Sequence, residues 1–207
     1  MFRNGITSCF VLYLLLVMAS CTAKQDPIEI GIQNYIDYVN IHRNEVKAFF
    51  NSEDSPLTPE ARMTFKGVDY FPVDEHYRLI ADFEPMHNGT VFVMPTTLGV
   101  EEKYRTVGYV YIQLNSISAK LEIYAMLNNS KKVEAGQYFM PFYDGTNGDE
   151  TYAGGRYLDV YINEEGKAIV DFNFAYQPFC RYNAAFSCAI PPKSNTIPGR
   201  IRAGEKN

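Results

Sequence analysis

The sequence predicts a mainly β domain: an antiparallel sandwich or barrel with an N-terminal amphipathic helix and a long irregular C-terminal tail packed on the sheet. Three observations carry this. Beyond Phe71-Pro72 the apolar residues alternate with a period of two. Two segments fold back on themselves in a register that sets apolar residues against apolar residues. Short strands with turn signals at regular spacing indicate a sandwich or barrel.

The N-terminus stands apart from the fold. Residues 9–19, CFVLYLLLVMA, form an apolar run of signal-peptide length, shorter than the ~20 residues of a spanning helix. It ends in Met18-Ala19-Ser20-Cys21, which resembles a lipobox, with Met18 where leucine is usual. Residues 1–20 are therefore expected to be a lipoprotein signal peptide, 21–29 a tether, and 30–207 a single globular domain. A plain secretory signal is the alternative. The resemblance implies lipid on Cys21, with palmitate-like acyl chains holding the protein to one leaflet of a bacterial envelope, the outer membrane preferred to the inner. Two or more chains anchor stably, at about 0.8 kcal/mol per buried methylene.

From Ile30 to Phe50, Ile32, Tyr35, Ile36, Val39, Val46 and Phe49 recur at helical spacing, with His42, Arg43 and Glu45 on or beside the polar face. Thr58-Pro59-Glu60 reads as the start of a short second helix, capped by Thr58. Tyr77, Leu79, Ala81 and Phe83 alternate with Arg78, Ile80, Asp82 and Glu84. The Asn88-Gly89 turn then predicts a hairpin with residues 90–95 as its return strand.

The next hairpin has a two-residue loop at Asn115-Ser116. It pairs Leu114 with Ile117, Ile112 with Ala119 and Val110 with Leu121. In the last, Glu164-Glu165-Gly166 forms the loop, with Gly166 at the left-handed position. Ile162 then meets Ala168, Val160 meets Val170, Leu158 meets Phe172, and Arg156 faces Phe174.

Composition excludes some functions. The formal net charge of −5 argues against nucleic-acid binding. No phosphate loop, Ser-His-Asp elbow or HExxH is present, and no cofactor is expected.

The segment Glu150-Thr151-Tyr152-Ala153-Gly154-Gly155-Arg156-Tyr157-Leu158-Asp159 resembles the signature of the bacterial family catalogued as domain of unknown function 1684. So do residues 171–176, Cys180-Arg181-Tyr182-Asn183, Cys188 with Pro191-Pro192, Asn195, and Arg202-Ala203-Gly204-Glu205-Lys206. The resemblance covers most of the mature chain and implies no activity. The ligand-binding candidates are Glu150, Tyr152, Arg156, Asp171, Asn173, Tyr182, Asn183, Asn195, Arg202 and Glu205.

Arg156 lies on an apolar strand face, so it must be paired, and Glu150 or Glu205 could supply the carboxylate. It either pins the tail or binds an anionic ligand. Asp159 and Asp171 oppose each other in the derived register, so both are solvated or a cation lies between them, Arg181, Arg200 or Arg202 from the tail ahead of a metal ion. Tyr109, Tyr111, Tyr124, Tyr157 and Tyr161 form an outer row that either lines a groove or is simply half-buried. Cys180 and Cys188 are disulfide candidates. Separate thiols, a metal site and a nucleophile are the alternatives, and the three histidines, lacking ligand spacing, speak against metal. Two functions remain open. One is a non-enzymatic envelope lipoprotein that binds a small molecule or protein partner. The other is a hydrolase-type enzyme using Glu150 and Asp171 with Arg156.

Overall fold

The computed structural model describes residues 32–127 and 136–207. The signal-like segment, Cys21 and the tether lie outside the described residues.

Helix α1 spans Ile32–Phe50. Tyr35, Val39 and Phe50 are buried, and His42, Arg43 and Val46 are half-buried along the same side. Of the residues read as on or beside the polar face, Glu45 is exposed, whereas His42 and Arg43 turn to the packed side. The His42 ring meets Phe174 edge-on, with centroids 4.9 Å apart. The Arg43 guanidinium lies 4.4 Å from the Tyr70 ring centroid and donates to the Phe71 carbonyl. Both side chains carry enough flat surface to cover an aromatic wall. Helix α2 spans Pro59–Thr64, and the Ala61 N–H donates to the Thr58 hydroxyl as the cap predicts.

The strands are β1 Asp69–Tyr70, β2 Arg78–Pro85, β3 Val91–Met94, β4 Glu102–Leu114, β5 Ile117–Met126, β6 Gln137–Phe142, β7 Arg156–Ile162, β8 Lys167–Asp171 and β9 Glu205–Lys206. Strands β2, β8, β7, β6, β5 and β4 follow one another in the large sheet, and pairing of β2 with β4 closes them into an antiparallel barrel. Closure removes the open edges that a sandwich would leave. The barrel is filled: Val110, Ile112, Leu121, Ile123, Met140, Leu158, Val160 and Val170 form one interior core.

The β4–β5 hairpin has the predicted register, Leu114 with Ile117, Ile112 with Ala119 and Val110 with Leu121. Asn115 takes the left-handed φ of 52° that its tight loop needs.

The Asn88-Gly89 turn does not make a hairpin. Strands β2 and β3 both run antiparallel to β4, one along Gly108–Tyr111 and the other along Glu102–Arg105. The turn is an outward loop in one interrupted track, and the Met86 and Thr106 amides bond across it to Val107 and Thr90. An extra residue in β4, Val107, shifts the opposite register at the same level.

In the β7–β8 hairpin Ile162 meets Ala168 as predicted, but the ladder runs only to Tyr161 and Ile169. The predicted Val160–Val170, Leu158–Phe172 and Arg156–Phe174 oppositions are not made. Phe172–Phe174 coil into a 3-10 turn, whose start is capped when Asp171 accepts the Asn173 N–H. Tyr157 bridges Tyr176 instead.

The tail belongs to the barrel. Ile197, Ile201 and Ala203 join its interior core, and β9 pairs with β1.

Candidate functional site

A groove of about 1080 Å³ lies between α1, the outer face of β4–β8 and tail segments 174–179 and 186–189. Its volume suits a small organic molecule. The strand parity that fills the barrel with aliphatic side chains turns alternate residues outward, and here many of those are aromatic. Tyr104 stacks on Phe139 at 5.7 Å, Phe139 meets Tyr157 edge-on at 4.8 Å, and Tyr157 meets Tyr176 edge-on at 5.7 Å. Tyr176 is half-buried at the end of this row, and its hydroxyl takes no hydrogen bond from the described residues. Burial holds that phenol well above its ordinary pKa, so it remains a neutral donor and acceptor.

Three acids with distinctive partners line the same groove. Glu102 accepts the Tyr104 hydroxyl at 2.8 Å. Asp171 accepts the Tyr35 hydroxyl on both oxygens, at 2.9 and 2.8 Å. Glu205 accepts the Tyr182 hydroxyl at 3.0 Å and the Gln177 N–H at 2.8 Å. Burial raises the Asp171 pKa against the lowering effect of those hydrogen bonds, and raises that of Glu205 to about 7. His42, also on the groove wall, is held below its ordinary pKa by burial and is neutral there. Tyr70 and Ser187, two further lining residues, have buried hydroxyls with no partner among the described residues.

Most family-signature residues serve the tail. Arg156 is fully buried, and its guanidinium reaches Asp144 at 2.6 Å. It also donates to the carbonyls of Ala203 at 2.5 Å, Ile201 at 2.7 Å and Glu205 at 3.2 Å. The expected carboxylate partner, Glu150 or Glu205, is thus replaced by Asp144, and the enclosed guanidinium offers no face to an anionic ligand. Gly155, beside it, has a φ of 90°, and a Cβ there would lie 2.8 Å from the Phe142 carbonyl.

Asn195 is fully buried between β5 and β6, where the ladder is limited to Tyr124 and Phe139. Its side chain donates to the Glu122 and Pro141 carbonyls and accepts the Glu122 N–H, replacing the missing rungs. Asn183 donates to the Pro56 carbonyl. Asn173 donates to the Tyr35 hydroxyl and the Asp74 carbonyl. The Tyr152 amide donates to Gln177. Glu150 binds Arg200 and Arg202 on the surface.

Glu150, Asp171 and Arg156 therefore hold separate partners and form no common cleft. The cation opposite Asp171 is Arg78 of β2, not a tail arginine. Of the tyrosine row, Tyr124, Tyr157 and Tyr161 line the groove, whereas Tyr109 and Tyr111 flank Lys120 elsewhere. Cys180 and Cys188 are unbridged neighbours, the Cys180 N–H donating to the Cys188 sulfur at 3.1 Å. No cluster of His, Cys, Asp and Glu suited to a metal occurs among the described residues. The groove residues that sequence reasoning missed are His42, Tyr104, Phe139, Tyr176 in its lining role, and Glu102. Outward parity on β4 and β6 was the available signal for Tyr104 and Phe139.

Fold and site together define a filled antiparallel barrel carrying an aromatic groove under an N-terminal helix. The chain belongs to the family described as protein of unknown function (DUF1684), whose model matches residues 63–206. It is similar to an uncharacterised protein of Haloarcula marismortui solved by NMR in solution. The two share 31% identity over 84% of this chain and 95% of the other, with a TM-score of 0.66. No curated protein matches the chain.

Proposed function

We propose that the protein is a non-enzymatic binding domain that holds a small organic molecule in the groove beneath α1, and that lipid on Cys21 keeps it at the bacterial envelope. The observation that supports binding is the groove itself: a large, partly open space whose walls are aromatic rings interspersed with polar side chains. The hydrolase reading loses support because Glu150, Asp171 and Arg156 hold separate partners. The anchor rests on the apolar run and Met18-Ala19-Ser20-Cys21.

The binding test is native mass spectrometry of the full chain purified in mild detergent, compared with Val46→Trp, which fills the groove from the helix side. A small molecule should co-purify with the parent and be lost from the variant at an unchanged melting temperature. Retention of the same molecule by the variant overturns the assignment. For the anchor, Cys21→Ala should abolish incorporation of an alkyne fatty acid in cells, and equal labelling of variant and parent would remove the lipid claim.

A further inference from the structure

We infer that the groove selects an organic cation, an amine or quaternary ammonium on an apolar or aromatic body; this rests on the binding reading above. The argument is charge complementarity. Glu102, Asp171 and Glu205 all line the groove, and none is within ion-pair distance of a lysine or arginine among the described residues. A tyrosine hydroxyl takes the place of the usual cation on each: Tyr104, Tyr35 and Tyr182. No lysine or arginine side chain lines the groove among the described residues. The nearby cations are turned to other tasks. Arg43 lies over Tyr70. Arg78, opposite Asp171, lies 4.7 Å from the Tyr35 ring centroid and offsets part of the Asp171 charge, so Glu102 is the acid left without a nearby cation among the described residues.

The rings add to the attraction. A phenol that donates its proton to a carboxylate becomes more electron-rich, and its face holds a cation more strongly. Tyr104 is such a phenol; its own ring is buried, and it stacks on half-buried Phe139, from which the row continues through Tyr157 to Tyr176. A bound ammonium can rest on the half-buried rings of Phe139 and Tyr176, behind which Tyr104 and Tyr157 are buried. If it carries N–H, the Tyr176 hydroxyl can accept from it. An anionic ligand would instead meet the carboxyl groups of Glu102, Asp159, Asp171 and Glu205 in a lining that has no lysine or arginine among the described residues.

The test uses three isosteric probes on the full chain in detergent, with detergent-only titrations subtracted. These are benzyltrimethylammonium, its neutral carbon analogue neopentylbenzene, and the anion benzylsulfonate, followed by tyrosine emission. The cation should bind about tenfold more tightly than the neutral probe, equivalent to about 1.4 kcal/mol. The anion should bind more weakly than either. Glu102→Gln, at the half-exposed rim, should reduce the cation's advantage severalfold and leave the neutral probe unchanged. Equal affinity for cation and neutral probe overturns the inference and leaves the groove as a neutral binding site. Preference for the anion also overturns it. If none of the three binds, the inference fails, and the binding reading then stands or falls on the Val46→Trp comparison.

Discussion

Arg156 and Asp144 form an ion pair at 2.6 Å with neither side chain exposed to solvent. The pair joins the loop before β7 to the tail, because the same guanidinium also holds three tail carbonyls. Asp144 is itself fixed by the amide and hydroxyl of Thr146, both at 2.6 Å. Burial pushes the Arg156 pKa down and Asp144 opposes that shift. Asp144→Ala leaves a buried guanidinium without its counter-charge and should cost about 3–5 kcal/mol in urea unfolding. Arg156→Met should cost a similar amount, because the tail carbonyls lose their donors. A loss below about 1 kcal/mol in both would show that the tail is held by apolar packing alone.

Asn195 closes the gap between β5 and β6. Asn195→Ala leaves the Glu122 N–H and the Glu122 and Pro141 carbonyls without these partners. At about 1–3 kcal/mol per unsatisfied buried group, the loss should be several kcal/mol. Amide hydrogen exchange locates the effect, since Glu122 should lose protection before the β4–β5 hairpin does.

Glu205 makes stability depend on pH. Burial lifts its pKa in the fold to about 7, against 4.5 for the ordinary side chain. Between these values the native state binds the proton that the unfolded chain has released, so stability falls as pH rises through that window. The loss should approach about 3 kcal/mol by pH 8. Glu205→Gln keeps an acceptor for the Gln177 N–H and the Tyr182 hydroxyl. It should flatten the slope of unfolding free energy between pH 5 and pH 8 that the parent shows. An unchanged slope would assign the dependence to other groups.

Cys180 and Cys188 are close enough to hydrogen-bond through the Cys180 amide. Burial pushes the Cys188 thiol up to about 12, so under reduction it should alkylate more slowly than half-buried Cys180. Exposure of the native protein to a mild disulfide oxidant should join the two thiols intramolecularly, leaving neither free in denaturant. Mass mapping after alkylation checks both expectations, and two alkylated cysteines after oxidation would rule out the bridge.

Local pattern determined a good part of this protein. The β4–β5 register follows from alternation plus a two-residue loop, and both are short-range properties. The inward direction of Arg156 follows from strand parity, and its need for a partner follows from the cost of burying a charge. Tertiary structure decided which partner it took. Asp144 lies in an irregular loop whose geometry no periodicity describes, whereas Glu150, the first residue of the signature, turned to Arg200 and Arg202 on the surface. Closure was equally non-local. Asn88-Gly89 carried the hairpin signal, yet β2 and β3 both paired with β4, because continuing along one long strand removes two edges at once. His42 and Arg43 fell on or beside the polar face by sequence spacing. Only the ring of Phe174 and the ring of Tyr70, brought in from distant segments, made their side of α1 an inner face. The groove has the same origin: its walls come from a helix, five strands and the tail, and such a space exists only after the chain has closed.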